Sequence, residues 1–296
     1  MLNIVLLVII TVAFLLLLAC SIYFLIVIRK ITTIVKATKI AITNGSNSDT
    51  LNHKTVVYPT SLSSGFSYEV AYFCAILIGS LKNIHKTQQC GMAVIFREFE
   101  YVYFEGNVIG FCAVGSGDIG WICFRGTRFR SEWEKNFNAD QKQINGQMCA
   151  AGFVEIFATL SGPIRKITEK WPIERKIIVT GHSLGGALAL LTSIQLQKST
   201  KLVYTYLFAA PRVCEFNSLD FPVNCFRIDN TCDIVPNLPL STTPNMKKPN
   251  QPLKYQHTGT HLTFTENRGG LGNSHLMPVF INAIINRTLL MAVPVS

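Results

Sequence analysis

The chain has 296 residues, 49% of them hydrophobic and only 15% charged, with a formal net charge of +10 and a mean hydropathy of +0.31. Such a composition excludes a disordered chain, which would be poor in apolar side chains. No basic segment interleaved with aromatics occurs, so the positive charge does not read as a nucleic-acid footprint.

Residues 2–28 carry no charge, and only Asn3, Thr11 and Ser21 interrupt the apolar run. A helix of that length crosses a hydrocarbon core of ~30 Å. No Lys or Arg precedes the run, which is also longer than the apolar part of a signal peptide. Leu17-Leu18-Ala19-Cys20 resembles a lipoprotein cleavage box, but the sequence stays apolar beyond it. The expectation is an uncleaved transmembrane helix over 1–28. Arg29, Lys30, Lys36 and Lys39 follow at once, and the positive-inside rule then predicts a cytosolic catalytic region. Residues 29–64 read as a basic juxtamembrane segment and linker on an anionic bilayer surface. Cys20 lies in the apolar run, and the other eight cysteines show neither a disulfide framework nor a C-x-x-C pair. Reduced thiols are expected.

Next, a helix is predicted over 69–84, then strands over 92–96, 108–114 and 119–124. Gly115-Ser116-Gly117-Asp118 makes the turn between the last two. A polar, charged stretch covers 125–146. A helix over 149–170, a strand over 176–180, a helix over 185–198 and strands over 202–208 and 224–229 follow, with a last helix over 276–291. This alternation predicts one α/β domain over 65–296, with a mostly parallel central sheet flanked by helices.

Within it, Gly181-His182-Ser183-Leu184-Gly185 lies between the β-branched run Ile177-Ile178-Val179-Thr180 and the helical pattern Ala187-Leu188-Ala189-Leu190. G-x-S-x-G between strand and helix is a nucleophile elbow, in which a tight turn lifts the hydroxyl above the sheet. Its glycines let strand and helix approach closely. A serine hydroxyl needs a histidine base and a carboxylate to orient that base, and in this architecture they follow in the order Ser, acid, His. Asp220, Asp229 and Asp233 are the nearby acids. Asp233 follows the predicted strand and precedes Ile234-Val235-Pro236, which favours it. His257, His261 and His275 are the possible bases, and the Gly-rich loop before the last helix favours His275. His182, beside the nucleophile, is expected to aim elsewhere. The Leu184 amide is one candidate oxyanion donor. Thr127, at the end of Phe124-Arg125-Gly126-Thr127, is a candidate for the second, although an ordinary turn explains that segment equally well.

Several motifs in order resemble the class 3 (fungal-type) lipase family of α/β-hydrolases, over about 65–290. They are Ile122-Cys123-Phe124-Arg125-Gly126-Thr127, Glu132-Trp133-Glu134-Lys135-Asn136-Phe137, Gly152-Phe153, Val179 through Ala189, Ala210-Pro211-Arg212-Val213, Asp233 through Pro239, and Tyr255-Gln256-His257-Thr258-Gly259. The resemblance implies Ser183 as nucleophile, Asp233 as acid and His275 as base. His257 then falls on a non-catalytic strand histidine, and Thr127 and Leu184 become the oxyanion donors. It implies no cofactor and no metal. The implied activity is that of a membrane-anchored serine carboxylester hydrolase, cleaving acyl esters of glycerolipids through an acyl-enzyme. Phospholipase A-type hydrolysis, acyl transfer to another acceptor, and an inert membrane-tethered binding protein are the alternatives. The chain departs from the family at Ala150, where a histidine is common, and after His275, where an aromatic residue is often found. The polar 125–146 stretch also differs from the amphipathic lid of the fungal enzymes.

Overall fold

The computed structural model describes residues 58–81, 84, 91–127, 140–144, 146–199, 201–215, 224–270 and 272–291. The expected transmembrane helix over 1–28, most of the juxtamembrane segment, residues 128–139 of the polar stretch and Asp220 lie outside them. Among the described residues, no helix is long and apolar enough to cross a membrane.

Eight strands form the main sheet, in the order β1 (Glu98–Phe104), β2 (Asn107–Val114), β3 (Gly120–Phe124), β6 (Ile177–His182), β7 (Val203–Phe208), β9 (Asn224–Asn230), β12 (Thr260–Phe264) and β13 (Leu290–Met291). The five from β3 to β12 run parallel, and the edges β1, β2 and β13 are antiparallel. Parallel strands are covered on both faces, and every residue of β3, β6 and β7 is buried. Alternate side chains feed two separate cores. Trp121, Cys123, Tyr206 and Phe208 pack with α1 (Tyr68–Leu81) and α4 (Met277–Ile285). Ile122, Phe124, Ile177 and Val179 pack on the other face with α2 (Ala151–Thr168) and α3 (Leu184–Gln197). A small second sheet joins β4 (Gln141–Ile144), β5 (Gln147–Ala150) and β8 (Cys214–Glu215), and a two-stranded ribbon pairs β10 (Thr242–Thr243) with β11 (Leu253–Lys254).

The structure corrects several expectations. Residues 92–96 are not a strand but lie largely in a short 3₁₀ helix, Gly91–Ile95, and the strand comes next, at β1. There Phe99 stacks on Phe111 with ring centroids 4.8 Å apart, while Glu98 is exposed. The helix expected from 149 starts at Ala151, because the preceding residues are paired as β5. The last helix stops at Ile285 rather than 291. Arg287 there takes a left-handed φ of 52°, which ends a helix, and Leu290–Met291 turns back to pair with β12. Packing also begins ahead of the boundary expected at 65, since Leu62 is buried and Tyr58 meets Phe73 edge-on at 4.8 Å.

The expectation of uniformly reduced cysteines fails as well. Cys149 and Cys214 form a disulfide between directly paired residues of β5 and β8. They are 65 residues apart in sequence, and only the pairing of β8 with β5 brings them together. Cys74, Cys112 and Cys225 are free and buried, and Cys123 is buried in β3 outside any disulfide. Burial pushes the Cys74 and Cys225 thiols up to about 12, which makes them inert packing groups at ordinary pH.

Candidate active site

Ser183 stands between the end of β6 and the first residue of α3, with φ 58° and ψ −125°. A serine holds such a backbone conformation only when its surroundings enforce it. Here the enforcement is steric. A Cβ on Gly181 would lie 2.1 Å from the Gly185 carbonyl oxygen, one on Gly185 would lie 2.4 Å from the Arg125 carbonyl oxygen, and one on Gly186 would lie 2.7 Å from Ala210 Cβ. Strand, helix and the end of β3 are therefore in backbone contact around the serine. Its own N–H donates to the Phe208 carbonyl at 2.9 Å, which ties the turn to β7. The residue is 5% exposed.

Asp233 lies in the turn after β9, and its side chain is fully buried. One carboxylate oxygen accepts the Val235 N–H at 3.0 Å. The other meets His275 Nδ1 at 2.5 Å. His275 comes from the loop before α4, 42 residues further on, and its side chain is 19% exposed. With Nδ1 engaged by the carboxylate, Nε2 is the ring nitrogen left for proton transfer. The structure thus brings together the two residues favoured as acid and base.

The other two histidines are engaged elsewhere. His257 Nε2 donates to the Pro236 carbonyl at 2.6 Å, supporting the turn that carries Asp233. Burial, with Arg227 and Arg212 nearby, pushes its pKa down to about 3, so the ring is neutral across the working range. His261 Nε2 lies 2.9 Å from Asp229, whose same oxygen pairs with Arg227 at 2.5 Å. Asp229 is therefore committed to Arg227, two residues away on β9, and to His261 on the neighbouring β12.

Gly126 explains how the second candidate oxyanion segment meets the serine. A Cβ there would come within 3.2 Å of Ser183 Cβ and 3.0 Å of His182. Thr127 follows, and its hydroxyl is buried with no hydrogen-bond partner among the described residues. Leu184 opens α3 and is buried, and the first N–H groups of a helix have no partner within it. Arg125 fixes this segment by donating to the carbonyls of Val108 at 2.7 Å and Gly126 at 2.9 Å.

The expectation that His182 aims elsewhere is corrected. Its ring lies 4.4 Å from that of His275, and its Nε2 donates to the His275 carbonyl at 2.8 Å. Among the described residues, no cluster of His, Cys, Asp or Glu is arranged to hold a metal ion.

Residues 121–243 match the family model described as lipase (class 3). The triacylglycerol lipase OBL1 of Ricinus communis is 38% identical over 78 residues, which are 22% of this chain and 15% of that protein. The secreted mono- and diacylglycerol lipase 1 of Fusarium solani is 29% identical over 128 residues, 40% of this chain and 38% of that protein. The chain thus spans well under two thirds of the length of these relatives. Among solved structures, the mono- and diacylglycerol lipase from Aspergillus oryzae superposes with a TM-score of 0.53 at 20% identity, covering 77% of this chain and 87% of that one. This likeness shows the α/β-hydrolase fold, with its mostly parallel central sheet. The family match and the relatives support the class 3 lipase family.

Proposed function

We propose that the chain is a serine ester hydrolase of the lipase type, acting on acyl esters of glycerolipids. The observation that carries this reading is the 2.5 Å contact between His275 Nδ1 and the buried Asp233 carboxylate, in a fold whose elbow holds Ser183 at a left-handed φ of 58°. Ser183 Oγ attacks the ester carbonyl and passes its proton to His275 Nε2. Asp233 holds the imidazole in the required tautomer and stabilises the cation that forms. The Thr127 and Leu184 amides donate to the tetrahedral oxyanion. Collapse expels the alcohol, which takes the proton from His275, and water then releases the fatty acid from Ser183 by the same steps in reverse.

The exposed apolar side chains of Ile234 and Leu276, next in sequence to the acid and the base, suit an acyl-chain substrate at this position. The relatives named above as triacylglycerol and mono- and diacylglycerol lipases are consistent with such a substrate. An anchor over 1–28, read from the sequence, keeps the domain beside its lipid.

Short acyl p-nitrophenyl esters test the reading. Ser183→Ala is expected to abolish hydrolysis while thermal unfolding stays unchanged. Wild-type turnover by that variant sinks the proposal.

A further inference from the structure

A buried amide lies between the acid and the base and reaches the turn of one and the loop of the other. Asn230 is the last residue of β9 and is 1% exposed. Its Nδ2 donates to the Glu266 carbonyl at 2.8 Å and to the Ser274 carbonyl at 3.0 Å. Its Oδ1 accepts the Cys232 N–H at 3.2 Å and the Glu266 N–H at 3.0 Å. A carboxamide has two N–H donors and two acceptor sites, so all four are used, and the orientation of the amide follows from its partners. Its backbone carbonyl also accepts the Asp233 N–H at 2.9 Å.

The three segments joined in this way are the turn carrying Asp233, the strand exit at Glu266, and the residue immediately before His275. The base is fixed on its other side too, because His182 holds the His275 carbonyl from the elbow. Two successive carbonyls, of Ser274 and His275, are therefore held by side chains from two different elements, β9 and the elbow.

We infer that Asn230 is a positioning residue for catalysis, setting His275 against Asp233 by linking the two loops that carry them. The inference rests on the ester-hydrolase reading given above. No other described side chain bonds both to the backbone of the acid turn and to that of the base loop, and a side chain that cannot donate leaves the Ser274 carbonyl unheld. A loop shift of 1 Å is enough to lower turnover by about 10²-fold in a site of this kind. Substrate binding, which does not use this amide, is not expected to change.

The test uses the full chain in detergent micelles and p-nitrophenyl butyrate, with active sites counted by a fluorophosphonate. In Asn230→Ala, kcat per counted site is expected to fall about tenfold to a hundredfold, with KM within about twofold of wild type. Asn230→Leu, which is close in volume and has no donor, carries the same readout if the alanine variant does not fold. A purely structural role lowers the melting temperature or the number of counted sites and leaves kcat per site intact. That result, or a parallel rise in KM with kcat unchanged, overturns the inference. Absence of Ser183-dependent turnover in the wild type instead overturns the hydrolase reading, and the positioning role falls with it.

Discussion

Replacing Gly185 by Ala introduces one methyl group where the elbow meets the end of β3. The new Cβ would lie 2.4 Å from the Arg125 carbonyl oxygen and 2.6 Å from that of Phe124. Both are backbone atoms at the end of the internal strand β3, so no flexible side chain can give way. Restoring an ordinary contact of 3.4 Å requires α3 and β3 to separate by about 1 Å. Overpacking of this kind costs about 1–3 kcal/mol, against less than about 1 kcal/mol gained from alanine's better helix propensity. The same separation moves the Leu184 amide away from Thr127, so the two proposed oxyanion donors no longer converge. Full-length Gly185→Ala is expected to melt several degrees lower, at about 2–4 °C per kcal/mol for a domain of this size, and to lose about 10²-fold in kcat. Gly79→Ala in α1 is the control. A Cβ there meets nothing within 4 Å, so the variant is expected to gain about 0.5–1 kcal/mol and keep its activity. Wild-type kcat in Gly185→Ala, measured with p-nitrophenyl butyrate beside thermal unfolding, refutes the close-approach argument.

Asp233→Asn keeps the shape of the acid but favours the wrong imidazole tautomer, and kcat is expected to drop about 10⁴-fold; steady-state kinetics showing a loss under tenfold counts against Asp233 as the acid. His257, with its pKa pushed down to about 3 from 6.5, resists protonation in the folded state more than in the unfolded one. The unfolded chain binds the extra proton between these values, so His257's contribution is complete above about pH 6.5 and is lost as pH falls toward 3. Urea unfolding of His257→Gln is expected to depend less steeply on pH across that window than wild type, and an unchanged slope contradicts the assignment. Replacing both Cys149 and Cys214 by Ser opens a loop with a sequence separation of 65, for which loop entropy gives a loss of about 4 kcal/mol. Denaturant titration checks this, and identical midpoints would show that the disulfide does not form in the protein.

The parts of the fold legible in the sequence were those with one dominant local signal. The run Ile177-Ile178-Val179-Thr180 with its glycines marks a buried strand meeting a helix, because no other local structure accommodates that pattern. Asp233 and His275 were reached by their order along the chain, and their contact depends on two loops 42 residues apart. What sequence reading missed was fixed by partners distant in the chain. The strand β1 alternates charged and aromatic residues at a sheet edge, where the aromatic Phe99 needs Phe111 of β2 to pack against. Cys149 meets Cys214 only once β5 and β8 are paired. The position beside the nucleophile gives no local sign that the His182 ring turns back to lie 4.4 Å from that of His275. Asn230 carried a faint signal, an Asn two residues before a turn N–H, which is the usual Asx-turn spacing. Nothing local disclosed its second reach, to Ser274.

Mapping a fluorophosphonate adduct by peptide mass spectrometry tests the central claim, that Ser183 is the nucleophile, most directly. The expected result is one adduct per chain, on the peptide holding Ser183, blocked by prior turnover inhibition and absent from Ser183→Ala. A folded wild-type chain that takes up no label, or takes it up on another serine, contradicts the claim.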